Sequence, residues 1–270
     1  MILAIDIGNT RTKWGVFDVQ GDMQSQGVWL NTELVQYEHL MAAIPTEWLG
    51  CKQAVISNVA GARLAAVLKA KLAQINISQR WVVPSRHAVN LLSCYEPPET
   101  LGSDRWLALI GATHDYAVPC VVINAGTALT VDALDIDLNI NEAMQGVFLG
   151  GLILPGLSLM QFSLLENTAN ITESDLNIGT LDSFPRNTRS AIYSGALSAM
   201  AGAVTSIYTK LEQHVGITPL CVVSGGDSQV LIEFLQAGLL FEANKVVLAE
   251  NLVLKGLYLL ENYLTESQSV

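Results

Sequence analysis

Hydrophobic and polar positions along the chain fall into short apolar runs separated by polar, glycine-bearing turns. Residues 1–7 form one such run, and residues 13–18 resume a strand pattern after a polar turn, which predicts a β-hairpin. A second copy of this arrangement occupies residues 120–132. Laid over the first, Ile5 meets Ile123, Asp6 meets Asn124, Gly8 meets Gly126 and Asn9 meets Thr127, so the pattern predicts a duplicated domain. Between the hairpins, residues 54–59 read as a strand leading to a helix over 62–74, and residues 81–83 as another short strand. Residues 94–102 form a loop bearing Pro and Gly, and residues 104–113 have helical spacing. Further on, residues 188–212 predict a long helix with small residues on one side. Residues 220–224 predict a strand ending in Gly225-Gly226-Asp227, and residues 251–264 a final amphipathic helix. Strands alternating with helices make the chain α/β. The boundary between the halves falls near residues 114–119, giving domains at 1–115 and 116–270.

Composition changes this picture in two ways. Of 270 residues, 50% are hydrophobic and 14% charged, and the mean hydropathy of +0.37 raises the question of a membrane span. The longest uncharged stretches, 147–161 and 190–209, are broken by Gly and Pro or studded with Ser, Thr, Gly and Ala, so no membrane span is expected. The apolar excess points instead to large buried sheets and a subunit interface. The first residues carry no basic region of a signal peptide, so the cytosol is the expected compartment. Cys51, Cys94, Cys120 and Cys221 include no C-x-x-C pair, and neither a disulfide framework nor a zinc site is expected. A net charge of −11, without a Lys/Arg cluster, counts against nucleic acid as a partner.

The segment from Asp6 through Ile7, Gly8, Asn9, Thr10, Arg11 and Thr12 to Lys13 has the residue types a nucleotide phosphate requires. Gly8 permits a tight turn and close approach. Asn9, Thr10 and Thr12 offer neutral donors, Lys13 offers a positive charge, and Asp6 can hold Mg²⁺ directly or through water. An ordinary hairpin with a polar tip is the alternative, but the recurrence at Gly126-Thr127 favours a phosphate site. Gly225-Gly226 after a strand suits a loop beneath adenosine or ribose, though plain α/β turns use the same residues. Gly102-Ser103-Asp104-Arg105 leaves two readings open. Asp104 can accept the proton of an attacking hydroxyl while Arg105 binds a carboxylate bidentately; alternatively Ser103 or Asp104 caps the helix and Arg105 forms a surface ion pair. His39, His87, His114 and His214 share no ligand spacing. The absence of a G-x-x-x-x-G-K-[ST] motif excludes a P-loop kinase, and no G-x-S-x-G signature occurs.

Taken in order, these residues resemble the type III pantothenate kinases. The resemblance is carried by Asp6 to Thr10, Tyr95 with Pro98, Leu101 to Trp106, Gly126-Thr127-Ala128, Gly150-Gly151 with Pro155-Gly156, Asn187-Thr188, Ser194-Gly195 and Gly225-Gly226-Asp227. It implies duplicated actin-like, ribonuclease H-like domains with mixed sheets flanked by helices. It also implies ATP with Mg²⁺ as phosphoryl donor and pantothenate as acceptor, on the way to coenzyme A. On the matched positions, Asp6 to Lys13 are the phosphate loop and Gly126 and Thr127 complete the nucleotide site. Tyr95, Gly102, Ser103, Arg105 and Thr188 bind pantothenate, and Asp104 is the general base. A homodimer is implied, with the Thr188 region reaching the neighbour's substrate pocket.

The resemblance further implies a monovalent cation, K⁺ or NH₄⁺, held by an Asp where this chain has Asn124. An amide keeps a ligating oxygen but loses the charge, so weak dependence on K⁺, or none, is expected. Other readings are a different small-acid or sugar kinase or phosphohydrolase of the same superfamily, and a nucleotide-binding accessory or regulatory protein without turnover.

Overall fold

The computed structural model describes residues 1–36, 44–137, 145–169, 171–172, 179–237 and 245–267. In chain order the elements are β1 (Ile2–Ile7), β2 (Arg11–Phe17), β3 (Met23–Leu30), α1 (Asn31–Gln36), β4 (Gln53–Asn58), α2 (Ala62–Gln74), β5 (Ser78–Trp81), β6 (His87–Ala88) and β7 (Leu91–Ser93). There follow α3 (Ser103–Tyr116), β8 (Cys120–Ala125), β9 (Ala128–Asp137), β10 (Gln145–Pro155), α4 (Leu157–Asn167), α5 (Thr188–Val215), β11 (Leu220–Ser224), α6 (Ser228–Ala237), β12 (Val246–Leu248) and α7 (Leu252–Ser267).

The chain divides into two compact units, one comprising residues 1–117, 137–147 and 251–270 and the other residues 118–136 and 148–250. The sheet of the first runs in the order β3-β2-β1-β4-β5, with β1 antiparallel to β2 and parallel to β4. The second unit repeats this as β10-β9-β8-β11-β12, with β8 antiparallel to β9 and parallel to β11. Duplication, read from four matched positions, thus extends to a whole five-strand order. The two units are not contiguous halves, however. Helix α7, from the C-terminal end, packs on α3 and β1 of the first unit, and Gly256 lies so close to α3 that a Cβ there would sit 2.1 Å from the Leu107 carbonyl oxygen.

Each sheet has its own core. In the first unit Leu3, Ile5, Ile7, Ile56, Leu68 and Leu72 are buried together, and Trp14, Trp29 and Trp48 cluster with ring centroids 5.1–6.3 Å apart. In the second, Val121, Ile123, Leu129, Val131 and Val223 pack against Leu197, Met200 and Val204 of α5. By length and composition α5 could cross a membrane. Those core contacts make it a core helix instead, with Asn187 accepting a hydrogen bond from the Ser190 N–H at its start and Gly216 ending it in the left-handed region.

Helix α2 and strand β11 occupy their expected residues, whereas the strand expected at 81–83 is β5, begun earlier beside β4. Strands β3, β10 and β12 and helices α4 and α6 carry no strong sequence signal. Alternation in β3 is diluted by Gln24, Ser25, Gln26 and Gly27, and β10 is interrupted by Gly150-Gly151.

Candidate active site

In the first unit, β1 ends on a turn that carries the residues expected at a phosphate. Asp6, the penultimate residue of β1, lies opposite Lys13 on β2 and Ser57 on β4. Its Oδ1 is buried and has no hydrogen-bond partner. Burial and then the negative charge of Asp104 push its pKa up from 3.8 to about 7, against the opposing pull of the Ser57 hydroxyl and the Lys13 ammonium. Asp104 stands in the first turn of α3, and its Oδ1 accepts the Arg105 backbone N–H at 2.8 Å. Burial also raises its pKa, opposed by Arg105. Both carboxylates of this unit are desolvated, and Asp6 feels the charge of Asp104, the kind of perturbed pair found at functional sites.

The capping reading of this helix start does not hold. Gly102 is the N-cap and no side chain caps the helix; a Cβ on Gly102 would lie 2.7 Å from Asp104 Oδ1, so glycine leaves the carboxylate room to fold back. Arg105 is no surface residue either, being 6% exposed with its guanidinium carbon 5.7 Å from the centroid of the Tyr95 ring. Tyr95, Asp104 and Arg105 are thus brought together in the first unit.

Two expected site residues are placed differently. Thr12, expected to donate to phosphate, alternates inward on β2, is 1% exposed and donates from Oγ1 to Asn31 Oδ1 at 2.8 Å. Ser103, expected at the substrate, is 6% exposed and shares a 2.9 Å hydrogen bond with the Ser57 hydroxyl. Ile7 is buried in the core, and the Gly8 N–H is spent inside the turn on the Arg11 carbonyl at 3.0 Å. Asn9, Thr10, Arg11 and Lys13 are exposed. Sequence reasoning missed Asn31 and Ser57. Ser57 sits in a strand pattern where a small polar residue reads as ordinary, and Asn31 lies outside any glycine motif.

In the second unit, Asn124 occupies the place of Asp6, opposite Thr130 on β9 and Ser224 on β11. The Gly126 N–H donates to the Ala128 carbonyl at 3.1 Å, and the Thr127 carbonyl accepts the Gly156 N–H at 2.9 Å. Gly225 adopts φ +102° directly over Ala125, whose carbonyl oxygen would be 2.2 Å from a Cβ, so its turn is required by close backbone crossing. Gly226 has open space around its Cα. Thr188, the first residue of α5, is exposed in an open concavity of about 710 Å³ with Leu164, Arg186 and Ile192. His87, His114 and His214 join no group of metal-ligating side chains among the described residues; His39 lies outside them.

The duplicated mixed sheets flanked by helices define the chain as an α/β protein. Solved structures sharing the fold include ethanolamine utilization protein EutJ from Carboxydothermus hydrogenoformans, with TM-score 0.55, 12% identity and coverage of 97% of this chain and 89% of that one. Another is a Campylobacter jejuni protein described as a candidate Baf family transcriptional activator, with TM-score 0.57, 20% identity and coverage of 99% and 100%. The family model for type III pantothenate kinase matches residues 2–210. A type III pantothenate kinase of Methylobacillus flagellatus is 40% identical over 261 residues, covering 96% of this chain and 97% of the relative. One from an Azoarcus species is 41% identical over 227 residues, covering 84% and 80%. The chain belongs to the type III pantothenate kinase family.

Proposed function

We propose that this protein transfers the γ-phosphoryl group of ATP to the terminal hydroxyl of pantothenate, the first step of coenzyme A synthesis. The observation that carries this reading is the pair Asp6, near the end of β1 with a buried, unpartnered Oδ1, and Asp104 in the first turn of α3. Asp104 takes the hydroxyl proton as the substrate oxygen bonds to the γ-phosphorus and the bond to the β–γ bridging oxygen breaks, releasing ADP. Burial raises the proton affinity of Asp104, while the hydrogen bond from the Arg105 backbone and then the Arg105 charge oppose that rise. Arg105, stacked on Tyr95, suits the pantothenate carboxylate, which a guanidinium binds with directional hydrogen bonds.

The orphaned Oδ1 of Asp6 and its raised pKa fit a divalent cation, so Asp6 would hold Mg²⁺. When bound, Mg²⁺ supplies positive charge against that of the phosphates. Lys13, opposite Asp6, adds a second positive charge. Gly126, Thr127, Gly225 and Gly226 take the nucleotide role implied by the family resemblance, and Thr188 the pantothenate role.

Asn124 offers a neutral oxygen where the family resemblance implies a carboxylate, and this supports weak K⁺ dependence, or none. A homodimer is supported by the second unit's exposed apolar side chains, Leu159 and Phe162 on α4 among them. On α5, which packs on α4, Ala191, Gly195, Ala199 and Gly202 form an exposed line of small residues. We place the protein in the cytosol, with no nucleic-acid partner, in keeping with its net charge of −11. The test is ATP consumption with and without pantothenate, in Mg²⁺ with K⁺, NH₄⁺ or Na⁺. Turnover only with pantothenate, similar in each ion, is expected. ATP binding without turnover would favour an accessory protein.

A further inference from the structure

The turn between β1 and β2 is held from beneath by one residue of another element. Asn31, the first residue of α1, is 8% exposed. Its Nδ2 donates to the Gly8 carbonyl at 2.7 Å and to the Asn9 carbonyl at 2.9 Å. Its Oδ1 accepts the Thr12 hydroxyl at 2.8 Å, and its backbone N–H donates to the Thr10 carbonyl at 3.0 Å. One side chain and the backbone N–H of the same residue therefore hold three consecutive carbonyls and the second residue of β2, Thr12.

The consequence lies in the peptide planes. The only cis bond among the described residues is Glu96–Pro97, so the turn peptides are trans, and in a trans peptide the carbonyl and the next N–H point in opposite directions. With the Gly8 and Asn9 carbonyls drawn inward to Asn31, the N–H groups of Asn9 and Thr10 face outward, as an anion requires. The second unit uses the same place differently. Gly156, the residue that follows β10 as Asn31 follows β3, donates its backbone N–H to the Thr127 carbonyl. A Cβ on Gly156 would lie 1.9 Å from the Gly126 carbonyl oxygen, so no side chain can clamp that turn.

We infer that Asn31 is a positioning residue that sets the phosphate turn by fixing its carbonyls inward, so that nucleotide affinity depends on its carboxamide. The inference rests on the proposed kinase reading for the identity of the phosphate ligand. It is tested with the full chain by ADP titration calorimetry and by steady-state kinetics of the wild type, Asn31→Ala and the isosteric Asn31→Asp. The Asp variant keeps the acceptor for Thr12 but faces two carbonyl oxygens with a third oxygen. Both variants are expected to weaken ADP binding and raise the KM for ATP about tenfold or more, as loss of several hydrogen bonds implies. The KM for pantothenate should stay within about twofold. If Asn31→Ala does not fold, Thr12→Val removes a single bond of the clamp and should raise the KM for ATP about threefold. ADP affinity within twofold of wild type in folded variants, or equal losses for both substrates, would overturn the inference. A wild type that binds ADP yet does not turn over pantothenate would remove the proposed function, while the affinity ratio would still decide the role of Asn31.

Discussion

Asp6 and Asn124 stand at the same position of two copies of one topology, each one residue before the end of a strand and each opposite a serine on the parallel neighbour. In the first unit that position carries a carboxylate with a buried, unpartnered oxygen. In the second it carries an amide. Tip length differs too: the Gly8 N–H closes on Arg11, three residues ahead, and the Gly126 N–H on Ala128, two ahead. The first turn is supported by a side chain, and the second by a glycine backbone that leaves no room for a Cβ. Duplication has thus left the strand order intact while concentrating charge, and with it the proposed phosphoryl chemistry, in one copy.

The largest effect is expected from removing charge in the first unit. Asp104→Asn should lower kcat by about 10²- to 10⁴-fold, the usual worth of a general base, with ADP affinity changed only a few-fold; kinetics and calorimetry on one preparation check both. In the second unit, Gly156→Ala should act on stability, at a cost of about 2–3 kcal/mol from the forced collision with the Gly126 carbonyl. Urea unfolding measures it.

Asp6→Asn makes the first turn resemble the second, and its effect depends on pH. The folded chain holds the Asp6 proton up to about pH 7 whereas an ordinary carboxyl releases it near 3.8. Wild-type stability therefore falls as pH rises through that window, because the folded state binds more protons than the unfolded. The neutral variant escapes this. It should be more stable than wild type at pH 8 by on the order of 1–2 kcal/mol, with the gap closing near pH 4 and ADP–Mg²⁺ affinity lost. The smallest effect is expected from the reverse exchange: Asn124→Asp should introduce a K⁺ dependence of a few-fold in activity, read by titrating K⁺ against Na⁺.

Much of the frame was legible because glycine turns and strand ends are local. The hairpins at Gly8 and Gly126 and the first turn of α3, with Gly102 before it, announce themselves by residue type. What stayed hidden depends on contacts far apart in sequence. Nothing near Asn31 says that its amide reaches Gly8, and nothing near Ser57 says that its hydroxyl meets Ser103. Thr12 shows the converse. It lies inside the motif, yet strand alternation turns it inward, so membership of a glycine-rich stretch did not make it a phosphate donor. The return of α7 to the first unit is likewise a tertiary choice, fixed by Gly256 against α3.

The central claim, that the Asp6–Asp104 pair of the first unit transfers phosphate to pantothenate, is tested most directly by following the product. Wild type and Asp104→Asn would be incubated with ATP, Mg²⁺ and pantothenate, and the reaction followed by phosphorus NMR. The account predicts a new phosphomonoester signal that appears with wild type only when pantothenate is present and is nearly absent with Asp104→Asn. Inorganic phosphate as the only product, or an equal yield of phosphomonoester from both proteins, would contradict it.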